Sequence, residues 1–409
     1  MKYYLDNFRG FQNQTVDVMN ATFFVGENST GKSSLLKAIA IISDSRFWSK
    51  GELSTDSFEL GAFEDILSVN HSRAFFSLGY IDEIKKCSQI YCFGNDKGLP
   101  MVIKQIFVSE SILLVVDRIR NVYSYRQTDP FNFQSIKQIL DSLELKENNE
   151  GWTEEKIGFF FEDLFLSILF DVRKNNTLTK FLNHFYSFCY PSMYIAPIRA
   201  KPQAIYAGMK TTYNAEGTHT PMLLKKAIKE KDRGIAALRR FGRRSGLFDD
   251  VETPNFGNKE LAPFELVVRK GCNRYQIASV GYGVSQILPI IIDLIFSEGG
   301  LVLIQQPEVH LHPKAQSAFG EFLFTICKNS KNCKYIIETH SDYIIDSFRY
   351  SQKKSTKKVE SKIVFFKNNR LHHNCINDIP IDSDGGYKEA DVSDYRSFFI
   401  DESIKVMEI

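Results

Sequence analysis

No C-x-x-C pair occurs among the 409 residues, and the seven cysteines are scattered and odd in number. That pattern argues against a disulfide framework or a zinc ribbon and suits reduced thiols in cytoplasm. Net charge is nearly absent too, at +2, so no global field demands nucleic acid and any basic contact surface must be local. No apolar run is long enough to span a bilayer. The windows 159–170 and 284–296 are the most apolar, and they are short and carry Glu162, Asp163 and Asp293; no membrane partner is expected. The N-terminal Met1-Lys2-Tyr3-Tyr4-Leu5-Asp6 lacks a basic region followed by an apolar core, so no secretory leader is expected. Internal repeats and low-complexity tracts are missing as well. What remains is ordinary globular composition, 43% hydrophobic and 24% charged, in a chain long enough for two or three domains.

Against that plain background one stretch stands out, Gly26-Glu27-Asn28-Ser29-Thr30-Gly31-Lys32-Ser33. The apolar run 21–25 before it reads as a buried strand, and 34–42 after it reads as a helix with an apolar stripe. Strand, G-x-x-x-x-G-K-S, helix is a phosphate-binding loop in its required context. Gly26 and Gly31 allow the backbone to curl so that N–H groups converge on phosphate oxygens. Asn28, Ser29, Thr30, Gly31, Lys32, Ser33 and Ser34 are therefore the candidate ATP contacts, with Lys32 as the point charge and the Ser33 hydroxyl directed to Mg²⁺. The helix N-terminus adds its partial positive charge.

The expected organisation is α/β, in three parts. Residues 1–130 form a β-rich N-terminal lobe with strands at 2–8, 14–18, 74–81, 89–93, 101–108 and 112–117. Residues 131–190 form an inserted segment that is helical in pattern from 133 to 189. Residues 191–409 return to strands and helices. The most basic stretch, 225–244, is read as a helix on which Lys225, Lys229 and Arg233 share a face. It is the candidate nucleic-acid contact, its plain alternative being a solvated face.

Three later stretches follow the phosphate loop in a telling order. Gly281-Tyr282-Gly283-Val284-Ser285-Gln286 opens an apolar helix, where Gly283 and Ser285 are candidate phosphate contacts at a helix N-terminus. The apolar strand 301–304 ends in Gln305-Gln306-Pro307-Glu308-Val309-His310-Leu311-His312-Pro313. The strand 335–337 ends in Glu338-Thr339-His340-Ser341. With Phe8-Arg9-Gly10-Phe11 ahead of the loop, these motifs resemble an ABC-type ATPase head of the RecF/SMC/OLD-like group. Within it they resemble the compact ATPases of bacterial anti-phage modules, of the Septu-ATPase or PARIS-sensor kind. The resemblance covers nearly the whole chain and implies a P-loop ATPase head with a short helical insertion. It implies ATP and Mg²⁺ as ligands, and two heads that sandwich two nucleotides as a homodimer or higher oligomer. It also implies a separately encoded nuclease or toxin effector. Ser285 would reach the nucleotide of a second protomer, residues 309–316 would line the interface, and His340 would be the switch histidine. The family's Q-loop glutamine has no identified counterpart here.

One departure bears on activity. Where most relatives carry an acid that helps hold Mg²⁺ and then the catalytic Glu, this chain has Gln305 and Gln306. Glutamine keeps shape but cannot accept a proton, and losing a general base costs roughly 10²–10⁴ in rate. Gln305 and Gln306 are thus candidate catalytic positions, with Gln305 also at the metal, in a protein expected to turn ATP over slowly. Alternatives from other classes are a DNA-repair or recombination ATPase acting through 225–244, and a scaffold whose ATP is structural. His310 and His312 are read as an interface turn rather than metal ligands. His372-His373-Asn374 resembles part of an H-N-H nuclease but lacks a later histidine, and residues 341–409 are too few for a TOPRIM nuclease. Asp382, Asp384 and Asp391 show no Mg²⁺-site spacing.

Overall fold

The structure is a computed structural model that describes residues 1–69, 73–110, 112–127, 151–158, 163–183, 185, 191–208, 211–257, 259, 262–330, 332–368, 374–387 and 395. These fall into two compact units, Met1–Val18 with Ser29–Pro191 and Lys367–Cys375, and Met19–Asn28 with Ser192–Phe366 and Ile376–Ile409. The phosphate-loop motif begins in the second unit and continues into the first from Ser29.

The first unit is built on an eight-stranded antiparallel sheet. Its strands are β1 (Lys2–Asp6), β2 (Gln14–Asp17), β4 (Phe76–Asp82), β5 (Cys87–Asp96), β6 (Leu99–Val108), β7 (Ile112–Asp117), β8 (Val122–Gln127) and β9 (Thr153–Lys156), in the order β2-β1-β4-β5-β6-β7-β8-β9. One face buries Tyr4, Ile81, Ile90, Ile106, Leu113 and Val115. Helices α1 (Lys32–Ser43), α2 (Ser45–Lys50), α3 (Phe63–Ile66), α4 (Leu164–Asp171) and α5 (Asn176–Asn183) belong to this unit. Trp48 of α2 and Tyr91 of β5 meet edge-on at 5.1 Å, and the Tyr91 hydroxyl donates to the Trp48 carbonyl at 2.8 Å. The expected helical segment is corrected in part. Residues 153–156 are an edge strand, all exposed and paired antiparallel with β8, because backbone hydrogen bonds alone carry an edge strand that has no apolar pattern. Residues 131–150 of that segment lie outside the described residues.

The second unit holds a six-stranded sheet in the order β10-β14-β15-β3-β16-β17, where β3 is Ala21–Gly26, β10 Ser192–Ile195, β14 Gly300–Gln305, β15 Cys333–Glu338, β16 Ser361–Asn368 and β17 Asn374–Ile381. The first five run parallel, and their near-continuous apolar sequences are what a sheet buried on both faces requires. Phe23, Val25, Val302, Ile304, Tyr335, Ile337, Ile363 and Phe365 point into one large core. That core is shared with α6 (Thr220–Lys229), α7 (Gly234–Ser245), α8 (Tyr282–Phe296), α9 (Pro313–Asn329) and α10 (Asp342–Lys354). A small antiparallel sheet of β11 (Asp250–Glu252), β12 (Val267–Lys270) and β13 (Asn273–Gln276) completes the unit. No helix among the described residues is long and apolar enough to cross a membrane.

The basic stretch 225–244 is not one helix. α6 stops at Lys229, Lys231 turns left-handed at φ 53°, and Arg233 caps α7, so Arg233 does not continue the face of Lys225 and Lys229. Several of its cations are already used internally. Lys225 donates to the Ala262 carbonyl at 3.1 Å and lies over the Phe264 ring, Arg239 pairs with Asp250 at 2.6 Å, and Arg244 holds Glu321 with two hydrogen bonds. Lys226, Arg240 and Arg243 remain exposed.

Candidate functional site

The start of α1 is set by a glycine. Its N-cap, Gly31, is left-handed at φ 91°; no side chain caps the helix and no acid stands in its first turn. The first N–H groups of a helix have no intrahelical partner, and here no side-chain cap or first-turn acid competes for them. A Cβ on Gly31 would lie 2.5 Å from Asn374 Nδ2 and 2.6 Å from the Phe11 ring. The same Asn374 donates from Nδ2 to the Arg9 carbonyl and from its backbone N–H to the Gly10 carbonyl, at 2.8 and 2.9 Å. Phe8 and Phe11 close the turn between them with a pair of backbone hydrogen bonds. Thus the Phe8–Phe11 turn and Asn374 together wall the glycine on which the loop pivots. Asn374, read in sequence as part of a nuclease decoy, is a brace; His372, His373 and Asp391 lie outside the described residues. Lys32 and Thr30 are buried, while Asn28 and Ser29 are exposed and Ser29 is left-handed at φ 62°.

In the second unit, β3, β14 and β15 lie side by side and end together. Gln305 is in register with Glu338, and Glu338 with Phe24. Beyond the strands, the Gln306 N–H donates to the Glu338 carbonyl at 2.8 Å and the Thr339 N–H to the Phe24 carbonyl at 3.1 Å. Gln306 itself is left-handed at φ 46°, an uncommon conformation for a residue with a Cβ.

Tyr194 of β10 donates its hydroxyl to Gln305 Oε1 at 2.5 Å. Burial pushes the Tyr194 phenol well above its ordinary value, and the charge of Glu338 adds to this, so the hydroxyl is a fixed donor at neutral pH. Tyr194→Phe is expected to cost about 1 kcal/mol, the worth of one buried hydrogen bond. An unchanged urea midpoint for that variant would show that Gln305 is held by other means.

Arg199, absent from the sequence-based site, ties these parts together. It follows β10, is 3% exposed, and burial lowers its guanidinium to about 10. Its backbone N–H donates to Gln286 Oε1 of α8 at 3.1 Å, and its guanidinium donates to the carbonyls of Pro197 at 2.8 Å and Gln305 at 3.4 Å. Glu308 contributes the nearby negative charge. Glu308 in turn accepts from Thr339 Oγ1 at 2.8 Å and from the His340 N–H at 2.7 Å, so both its oxygens are engaged. Burial raises its carboxyl above the ordinary value against these hydrogen bonds. It positions the turn that carries His340.

The glycine-rich stretch opens an apolar helix, as expected. α8 begins at Tyr282 with Gly281 as its N-cap, so Ser285 lies inside the first turn. Its hydroxyl donates back to the Tyr282 carbonyl at 3.1 Å and the residue is 6% exposed. It lines a cavity of about 200 Å³ with Lys201, Glu216 and Pro289. The exposed groups at this end are Gly281, Tyr282 and Ser279 just upstream. Gly283 packs under the 307–313 turn, where a Cβ would lie 2.9 Å from the His310 carbonyl, and the exposed Tyr282 ring stands 5.7 Å from that of His310. His312 caps α9, accepting from the Lys314 N–H. Among the described residues no three His, Cys, Asp or Glu side chains form a metal-holding group.

Residues 113–346 match the family model described as "AAA domain, putative AbiEii toxin, Type IV TA system", and residues 1–187 match one described as "AAA ATPase domain". No curated protein matches the sequence. Solved structures that resemble the chain include an SMC head bound to the C-terminal winged-helix domain of ScpA, at 14% identity, TM-score 0.43, covering 93% of this chain and 97% of that one. The SMC head domain from Thermotoga maritima is 12% identical with TM-score 0.37, covering 93% and 98%. A Pyrococcus furiosus SMC head with an extended coiled coil, bound to the C-terminal domain of ScpA, is 10% identical with TM-score 0.41, covering 100% and 98%.

Proposed function

The chain belongs to the AAA-domain family described as putative AbiEii toxin of type IV toxin–antitoxin systems, and from that membership we propose that it is an ATP-dependent switch of a bacterial anti-phage module. In this reading it senses a trigger and controls a separately encoded nuclease or toxin through ATP-dependent assembly. The observation that supports it best is the start of α1, a glycine-cradled helix N-terminus with neither a side-chain cap nor a first-turn acid. The residues that would hold ATP are Asn28, Ser29, Thr30, Gly31, Lys32, Ser33 and Ser34. The motifs would offer a magnesium ion oxygen donors, a hydroxyl from Ser33 and an amide from Gln305, a donor type that suits a hard cation; when bound, the ion would neutralise phosphate charge. Gln305 and Gln306 would stand where water is activated, and Glu308 would hold His340 in place.

Assembly follows the same logic. The exposed Tyr282–His310 pair and the exposed Tyr343 sit beside these motifs, and exposed aromatics at a rim favour a partner surface. Gly283 and, through its helix end, Ser285 would belong to that surface in a homodimer or larger oligomer. Closure on ATP is the bistable step, because phosphate contacts from both protomers exist only when closed. The test is light scattering of the purified chain with and without ATP and Mg²⁺, with expected growth from monomer to dimer or larger. A mass indifferent to nucleotide for wild type and for Lys32→Ala alike would overturn the reading.

A second reading, ATP as a structural ligand, draws on Gln305 and Gln306. Gln305→Glu is expected to raise ATP turnover at least several-fold, since Tyr194 already offers its hydroxyl to that position. Equal turnover by the two forms, with ATP retained through purification, would favour the structural reading.

A further inference from the structure

We propose that the buried Arg199 is a positioning residue that couples the start of α8 to the end of β14, holding the Gln305–Gln306 peptide in place for ATP turnover. This rests on the ATP reading above and adds to it a coupling that lies wholly within the second unit.

Arg199 reaches both elements from the edge of the sheet. β10 pairs in parallel with β14, with Ile195 opposite Ile304, so the chain leaves β10 at the level where β14 ends. That exit is pinned by the backbone. The Ala196 N–H donates to the Ala215 carbonyl at 3.0 Å, and the Ala200 N–H donates to the Glu216 carbonyl at 2.9 Å. Between these anchors Arg199 works in two directions. Its main-chain N–H donates to Gln286 Oε1 near the start of α8 at 3.1 Å, and its guanidinium donates to the Gln305 carbonyl at 3.4 Å.

That carbonyl matters because of the peptide it belongs to. The same peptide carries the Gln306 N–H, which donates to the Glu338 carbonyl at 2.8 Å. One side of the peptide is thus held by β15 and the other by Arg199, and its plane sets the direction taken by the left-handed Gln306. The Gln305 side chain is held separately, by the Tyr194 hydroxyl. At 3.4 Å the bond to Gln305 is the longest of the three that Arg199 makes. It lies just beyond the usual range of about 2.7–3.2 Å, so a small shift of α8 is enough to lose it.

A guanidinium is a costly choice for packing alone. Arg199 is 3% exposed, and an apolar residue of similar volume is often at least as stable in such a place. The negative charge that faces it, Glu308, has both oxygens engaged by Thr339 and His340. The hydrogen-bond partners of the guanidinium are therefore the carbonyls of Pro197 and Gln305, and its Nε has none among the described residues. What arginine adds over leucine or methionine is directed N–H groups on a rigid fork, and here they fix backbone. Gly283, at the same end of α8, lies close under the His310 carbonyl. The start of α8 thus meets the 305–313 stretch at a second point.

The experiment measures steady-state ATP turnover of the full chain, as kcat and KM, with Gln305 and with Gln305→Glu. Gln286→Ala and Arg199→Lys are each expected to lower kcat at least ten-fold, with KM moving less than three-fold. Arg199→Lys keeps the cation facing Glu308, so its loss reports hydrogen bonds and not charge. The several-fold gain expected from Gln305→Glu falls below two-fold in either variant, a ratio that a smaller folded fraction does not change. Because the two residues act in series, the double variant falls no further than the more impaired single one. An undiminished gain from Gln305→Glu in Gln286→Ala, or losses that multiply in the double variant, overturns the proposal. Gln286→Ala leaves Arg199 in place, so this arm decides the matter even where Arg199→Lys does not fold. ATP bound by wild type but turned over with neither residue at 305 also overturns it and leaves ATP binding standing. Wild type that binds no ATP by calorimetry overturns the ATP reading and this proposal with it.

Discussion

Gly26→Ala is expected to destabilise the protein by about 3 kcal/mol or more and to abolish ATP binding. Gly26 closes β3 at φ 145°, in a region that residues with a Cβ essentially do not occupy, at a cost of roughly 1–3 kcal/mol. The added methyl would also lie 2.2 Å from the Phe366 carbonyl oxygen and 3.0 Å from its carbon. Both belong to the backbone of β16, which pairs with β3 from Ser361 to Phe366, so the obstacle cannot swing aside as a side-chain tip would. The control is Gly281→Ala. Nothing stands within 4 Å of a Cβ there, and the residue caps α8 at φ −59°, so its cost is expected below about 1 kcal/mol, the usual size of a changed N-cap. Urea midpoints compare the two. Similar shifts for both glycines would refute the account of Gly26.

The strands and helices around the phosphate loop were legible because each is specified locally: an apolar run, two glycines, a lysine, then helix formers. The ends of β14 and β15 were legible for the same reason, as apolar strands that stop abruptly in polar motifs. Arg199 was not. A lone arginine after a Pro-Ile step carries no local signal, and its partners Gln286 and Gln305 come from distant segments that only the parallel sheet brings alongside. The bracing role of Asn374 was hidden for a similar reason, since its partners Arg9 and Gly10 are almost the whole chain away. The break between α6 and α7 was missed because charge spacing suggested one face, whereas Lys231 and the Asp232 cap of the Gly234 N–H, at 2.6 Å, end one helix and begin another. Ser285 stands in the first turn of α8, as the glycines before it allow. Its hydroxyl turns inward to the Tyr282 carbonyl, which the spacing alone does not show.

Glu308→Ala is expected to cost about 3 kcal/mol and to lower ATP turnover at least ten-fold. The substitution removes the acceptor of Thr339 Oγ1 and of the His340 N–H, and each buried donor left without a partner costs roughly 1–3 kcal/mol. It also takes away the carboxylate that offsets the buried Arg199 guanidinium. Glu308→Gln keeps one acceptor oxygen and is expected to cost less than half as much. The pH dependence separates charge from shape. Because burial raises the Glu308 carboxyl above its ordinary 4.5, its protonation favours the folded state. That contribution is fully present below about pH 4.5 and is lost as pH rises through the higher folded value. Wild type therefore holds its largest advantage over Glu308→Gln in acid, and the gap narrows toward neutrality. Urea midpoints of the two proteins between roughly pH 4 and 8 measure this directly. A gap that widens with pH would mean that the two donors favour the ionised carboxylate more than burial opposes it. Glu308 would then be held as an anion bound to the His340 turn, and the assignment of burial as its dominant influence would be wrong.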